Sequence, residues 1–130
     1  MCSGFATLLA SSAAALILFA ADGWGQRAPS ARVLVQSSAL AGFRYHAAVE
    51  VWPALVEGDA LELEREPANA HDPNAVSLSW RGRKLGYVPR RENAALAYGL
   101  ERGMRLRARI SALAEHPNPA RRVRFEVYVE

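Results

Sequence analysis

The chain has a single cysteine, Cys2, so it can form no internal disulfide and no cysteine-based metal site. Its three histidines, His46, His71 and His116, are too scattered for ligand spacing, and no metal is expected. Lysine is almost missing: of 16 basic residues all but Lys84 are arginine. No glycine-rich phosphate loop and no positioned nucleophile stands out, which argues against catalysis. Charge is absent from residues 5–21, which are almost all Ala, Leu, Ile and Phe. Small residues follow at Ala20, Ala21 and Gly23. That pattern predicts an apolar helix serving as an export signal or membrane anchor over 1–23, although no Lys or Arg precedes it. Seventeen residues is short for a spanning helix. Residues 24–31 read as a linker, and residues 5–21 are the segment through which membrane association would occur. The expected location is therefore exported, periplasmic or membrane-anchored, and cytoplasmic if the segment is not a working signal.

What is present lies mostly beyond that segment. At 130 residues the chain has room for one domain with a modest core, here residues 32–130. Asp22 is the only acid before Arg27. From there on 12 of the 13 acidic residues face all 16 basic ones, a net charge of +4. Arginine suits bidentate contacts to phosphate or carboxylate. The excess is small, so its placement matters more than its size.

Alternation at period two predicts strands at Arg32–Gln36, Ala60–Arg65, Val76–Trp80, Leu85–Val88, Arg105–Leu113 and Arg122–Val129. Residues 81–84 form a tight turn that makes a hairpin of the third and fourth. Glu92–Arg102 reads as a helix, with Gly103 placed to cap its C-terminus. His46–Leu55 fits either period, and Pro53 limits any helix there. The fold class is mainly β: a small OB-like six-stranded barrel, closed or partly open, with one or two short helices. In the last hairpin Arg105, Arg107, Arg109, Arg122 and Arg124 fall on the polar face, relieved by Glu126. Such a face serves either as a solvated edge that resists aggregation or as a track for a phosphate backbone.

The densest stretch is Leu63–Val76. It starts as a strand, breaks at Glu66-Pro67, and then places Asn69, His71, Asp72 and Asn74 within six residues. Asn and Asp satisfy their own backbone in turns, so part of this density is loop chemistry. A polar loop tied at both ends to apolar strands is also where a scaffold presents a ligand site. Earlier in the chain, Gly42 precedes Phe43-Arg44-Tyr45-His46, a sharp turn that would display side chains.

Four segments taken together resemble the HIRAN domain family. They are Ala41-Gly42-Phe43-Arg44-Tyr45, Gly58-Asp59 with Leu61 and Leu63, Arg65-Glu66-Pro67-x-Asn69-x-His71-Asp72-x-Asn74-Ala75-Val76, and Gly82-x-x-Leu85-Gly86-Tyr87-Val88-Pro89-Arg90. The likeness runs from about Val33 to Val129 and looks like the free-standing bacterial kind. It implies an OB-like groove that binds single-stranded DNA and captures a 3′-hydroxyl end. Carried onto this sequence, Arg44 and Tyr45 would contact the backbone and stack on a terminal base. Asn69, His71 and Asp72 would surround the terminal nucleotide, with Asp72 accepting from its hydroxyl. Tyr87 and Arg90 would form the opposite wall, Arg90 meeting a phosphate. His71 stands where DNA-binding members often carry Tyr, and Tyr87 and Pro89 also depart from the helicase-linked pattern.

Two functions follow as expectations. One is a non-catalytic nucleic-acid-binding module with no cofactor. The other is an envelope domain that uses the same groove for a peptide or polyanionic glycan, which the apolar N-terminal segment favours. An acid–base site at His71-Asp72 beside Glu66 lacks the partners that an enzyme would need.

Overall fold

The computed structural model describes residues 32–130. The apolar helix expected at 1–23 and the linker at 24–31 lie outside the described residues. Among the described residues, no helix is long and apolar enough to cross a membrane.

The period-two stretches become strands β1 (Val33–Ala39), β2 (Ala60–Arg65), β3 (Val76–Trp80), β4 (Arg83–Tyr87), β5 (Leu106–Leu113) and β6 (Val123–Val129). Two helices accompany them, α1 (Ala48–Val51) and α2 (Ala94–Glu101). The strands pair antiparallel in the order β1-β6-β5-β2-β3-β4. β2 serves both halves of the sheet: Ala60 and Leu61 pair with β5, and Glu62 to Arg65 pair with β3.

Leu106, Ala108 and Ile110 of β5 and Val123, Phe125 and Val127 of β6 point inward and are buried, as the alternation predicts. They meet Leu40, Leu78, Leu85 and Val88, and α2 adds Leu96 and Ala97 to the same core. α2 ends as its sequence suggests. Gly103 takes φ 79°, its N–H donates to Leu100 O, and Met104 N–H donates to Gly99 O, bonds that close the last turn of the helix. The β3–β4 hairpin turns on Arg81 and Gly82, both at positive φ (47° and 79°), which matches the twist of the strands. The Arg81 guanidinium lies 4.5 Å from the centre of the Trp80 ring.

The structure settles one open point of the sequence reading and corrects two others. The turn expected at residues 81–84 is shorter, because Arg83 and Lys84 already belong to β4. Of the closed and partly open forms, the sheet takes the open one; β1 and β4 are its edges. They approach through one bridge just beyond β1, where Ala41 N–H donates to Tyr87 O and Tyr87 N–H donates to Ala41 O, both at 2.9 Å. Arg122 also leaves the polar face of the last hairpin. Asn118 Oδ1 accepts from Ala120 N–H and caps a 3₁₀ turn at Pro119–Arg121, which delays β6 until Val123. Arg122 then donates from Nε to His116 O at 2.7 Å and lies over the Phe43 ring. The ambiguous stretch before β2 resolves as α1 followed by a 3₁₀ turn at Trp52–Ala54, with Pro53 early in that turn where a missing donor costs nothing.

Gly86 makes the bridge between the edges possible. A Cβ there would stand 2.2 Å from Ala41 O, a backbone atom held by the bridge itself. Gly86→Ala is therefore expected to lower unfolding free energy by about 1–3 kcal/mol, read as a shift in the urea midpoint. A midpoint equal to that of the wild type would show that the edges tolerate separation.

Candidate functional site

Beyond the bridge the chain must turn away from β4, and Gly42 provides the turn at φ 77°. A 3₁₀ turn at Phe43–Tyr45 follows. Phe43 is buried against the edge of the Trp52 ring and anchors this turn. Burying Phe43 throws Arg44 and Tyr45 outward. Tyr45 is 79% exposed, a large ring with little apolar cover. His46, next along, tucks back against Tyr87 edge-to-face, with centroids 5.2 Å apart.

Facing this turn is the loop between β2 and β3. Glu66 N–H donates to Ala75 O and closes it at 2.8 Å. Asn69 Oδ1 accepts from the N–H groups of His71 and Asp72, and Asp72 Oδ1 accepts from Asn74 N–H. The loop's side chains thus satisfy its own backbone. They also tie it outward. Asp72 Oδ2 accepts from Asn93 Nδ2 at 2.6 Å, and Asn93 is almost fully buried. Asn93 sits where an N-cap of α2 belongs, yet its side chain does not cap the helix. It is committed to Asp72 instead. His71 remains exposed at the loop's outer rim.

Beneath the loop, Glu66 collects three donors: Lys84 Nζ at 2.7 Å, Tyr87 OH at 2.9 Å and Asn69 Nδ2 at 3.3 Å. Lys84 Nζ also donates to Tyr87 OH at 3.2 Å. Burial alone would push the Glu66 carboxyl up, but the bonds from Lys84, Tyr87 and Asn69 outweigh it and hold the carboxyl below its ordinary range. The bonds to Glu66 and Tyr87 hold Lys84 above its ordinary range. Burial, with the nearby Lys84 charge, pushes His46 down despite Glu66. This polar buttress fixes the Tyr87 ring as a wall.

Between the turn and the loop lies a cleft of about 650 Å³. Ala41, Ala75 and Val88 give it apolar patches, and Tyr45, His46 and Tyr87 give it rings. Asn69, His71 and Asp72 line it from the loop, and Arg90 from a 3₁₀ turn at Arg90–Glu92. Six of the seven residues expected at the groove therefore converge. Arg44 does not line this cleft; it points into a smaller groove on the far side of Tyr45. The arginine face also stands apart. None of Arg105, Arg107, Arg109, Arg122 and Arg124 lines the cleft. Arg109 binds Glu126 through two nitrogens at 3.0 and 3.1 Å, and Arg107 reaches Glu130 at 3.4 Å. Among the described residues no cluster of His, Cys, Asp and Glu could hold a metal ion.

A family model described as the HIRAN domain matches residues 33–130, most of the chain. The chain belongs to the HIRAN domain family. The family is one of nucleic-acid-binding modules. A solved structure from Lactobacillus plantarum is similar at TM-score 0.66 and 28% identity, over 76% of this chain and 95% of that one. The HIRAN domain of human HLTF shares the fold at TM-score 0.55 and 19% identity, over 76% and 80% of the two chains. A Fanconi-associated nuclease 1 homolog of Oryza sativa subsp. japonica is 35% identical over 77 residues, 56% of this chain. The chain spans 8% of the length of that curated relative.

Within this HIRAN domain, sequence reasoning missed His46, Lys84 and Asn93 and gave Glu66 no supporting role. The lone lysine was a signal left unused; the other three become visible only when distant segments meet. The buttress carries a pH signature. His46 and Glu66 both titrate lower when folded, so the unfolded chain binds protons first and stability falls on acidification. The loss should begin as pH drops below 6.5, the ordinary histidine value, and resume below 4.5, that of glutamate. Urea midpoints measured from pH 8 to 4 should show both phases, and His46→Gln should flatten the upper one. An unchanged upper phase would remove His46 from this account.

Proposed function

We propose that residues 32–130 act as a non-catalytic module that binds single-stranded DNA and holds a 3′ strand end in the cleft. The observation that carries this reading is the convergence of Tyr45, Asn69, His71, Asp72, Tyr87 and Arg90 on one cleft next to a ring left 79% exposed. An exposed tyrosine beside a lined cleft suits a base, because every base offers a π face. Tyr45 stacks on the terminal base, with Tyr87 as the opposite wall. Arg90 meets a phosphate through its fork of donors. Asp72 accepts the terminal hydroxyl: each of its oxygens already takes one bond, and a carboxylate has lone pairs to spare. His71 at the rim adds a further small ring.

The arginine face is secondary in this reading. Its charges on Arg107 and Arg109 are largely neutralised by Glu130 and Glu126, which leaves Arg105 and Arg124 as long-range attraction.

Fluorescence anisotropy with labelled single-stranded oligonucleotides tests the proposal. Oligonucleotides ending in a 3′-hydroxyl should bind more tightly than those ending in a 3′-phosphate, because Asp72 would face a second anion. Affinity should fall with salt at a log–log slope of about −0.7 for each phosphate neutralised. Tyr45→Ala should weaken binding by about 1–3 kcal/mol, the value of one base stack, at unchanged urea midpoint. Equal affinity for both ends would defeat end capture, and full affinity in Tyr45→Ala would remove the ring from the site.

The uncharged run at residues 5–21 supports a second reading, in which an exported domain offers the same cleft to a peptide or polyanionic glycan. Cell fractionation with N-terminal sequencing separates the two. Cytoplasmic protein with an intact N-terminus would remove the exported reading.

A further inference from the structure

The two edges of the sheet are finished differently. β4 is covered: Ala41 bridges to Tyr87, and Ala47 N–H donates to Lys84 O at 3.0 Å. β1 pairs with β6 on one side, and among the described residues no strand pairs with its other side. Natural edges of this kind are commonly blunted by charge or proline. β1 carries neither between Val33 and Ala39. Its first three residues are large, apolar and outside the core: Val33 is 62% exposed, Leu34 58% and Val35 45%. They extend rows already present in the sheet. On the outer face Leu34 stands next to Tyr128; on the inner face Val33 stands next to Val129, which packs on the core beside Leu106. Both rows stop uncovered at the edge. A register shift between Leu34 and Gln36 interrupts the ladder to β6 and sets this apolar end apart from the rest of the strand.

We propose that this strip is a self-association edge, on which β1 of a second copy of this chain pairs antiparallel about a two-fold axis at Leu34. The sequence is self-complementary in that register. Leu34 faces the partner's Leu34, and Val33 faces the partner's Val35. Residues directly opposed across a strand joint share a face. Tyr128, Leu34 and their counterparts therefore make one row across the joint, and Val129, Val33 and the partner's Val35 make another on the opposite face. Charge fixes the register. Arg32 falls opposite the partner's Gln36, which is uncharged. Sliding the pair until Arg32 meets the partner's Ala39 would set it beside the partner's Arg124, because Arg124 neighbours Ala39 on β6. The joint lies at the end of β1 remote from Ala41, so the cleft stays outside it. Few residues meet, so the dimer is weak and forms as concentration rises.

Sedimentation equilibrium on the whole chain should show a reversible monomer–dimer equilibrium. Leu34→Lys sets two like charges face to face at the axis and should raise the dissociation constant by about tenfold or more. Leu34 is exposed, so the urea midpoint of the monomer should hold. Cross-linking reads the axis itself. In a Cys2→Ser background, Leu34→Cys should form a disulfide-linked dimer under mild oxidation, since residues opposed across a strand joint lie within disulfide reach. Val56→Cys, at 60% exposure and off the edge, should stay monomeric. A monomer at every concentration would overturn the proposal and leave the edge to a different partner. A dimer that Leu34→Lys does not weaken would also overturn it, placing the contact elsewhere, such as in residues 5–21. Equal cross-linking at positions 34 and 56 would overturn it as well, because collision alone would then account for the dimer.

Discussion

Two backbone hydrogen bonds between Ala41 and Tyr87 hold the site together. The sheet is open, and these bonds are where its edge strands meet. On the Ala41 side the chain turns at once through Gly42 into Phe43, Arg44 and Tyr45. On the Tyr87 side it runs on through Val88 to Arg90. Parting the two edges would separate Tyr45 and His46 from Tyr87, and the cleft would lose a wall. The close approach excludes any side chain at Gly86. Packing and site thus place demands on the same few residues: Phe43 fills the core so that Tyr45 cannot, and the bridge spends backbone donors that an open edge would offer to another strand.

Local pattern was enough for the strands because a period of two survives in Leu106–Leu113 and Val123–Val129 whatever they pack against. Gly103 and the Arg81–Gly82 turn were legible for the same reason, since backbone conformation at those positions is a local matter. The order β1-β6-β5-β2-β3-β4 was not, and neither was the failure to close, because both depend on which edges meet. Arg122 was misplaced for a small reason: one Asn118 side chain caps a turn and postpones the strand.

The site divides along the same line. Asn69 and Asp72 were readable as loop-capping residues and proved to be that as well as cleft lining. The residues behind them were hidden. Glu66 meets Lys84 across 18 positions and Tyr87 across 21, and Asn93 meets Asp72 across 21. No periodicity links such pairs. Charge was also easy to overread. Arginines on alternate positions of the last hairpin look like a track until Glu126 and Glu130 are seen to occupy Arg109 and Arg107. Exposed pairs of this kind add little stability, but they remove charge that would otherwise attract a polyanion. In the proposed reading, recognition depends on rings and a few donors in the cleft more than on a broad positive face, and the affinity expected is modest.

The claim at the centre is that the cleft beside the Ala41–Tyr87 bridge is the surface that meets the strand end. Backbone amide shifts followed by two-dimensional NMR, as a 3′-hydroxyl dinucleotide is titrated into residues 32–130, address it directly. The account predicts that the largest changes fall in residues 41–46, 69–75 and 86–91, with the β5–β6 face nearly silent. Changes centred on Arg105, Arg107, Arg109 and Arg124, with the cleft unmoved, would contradict it.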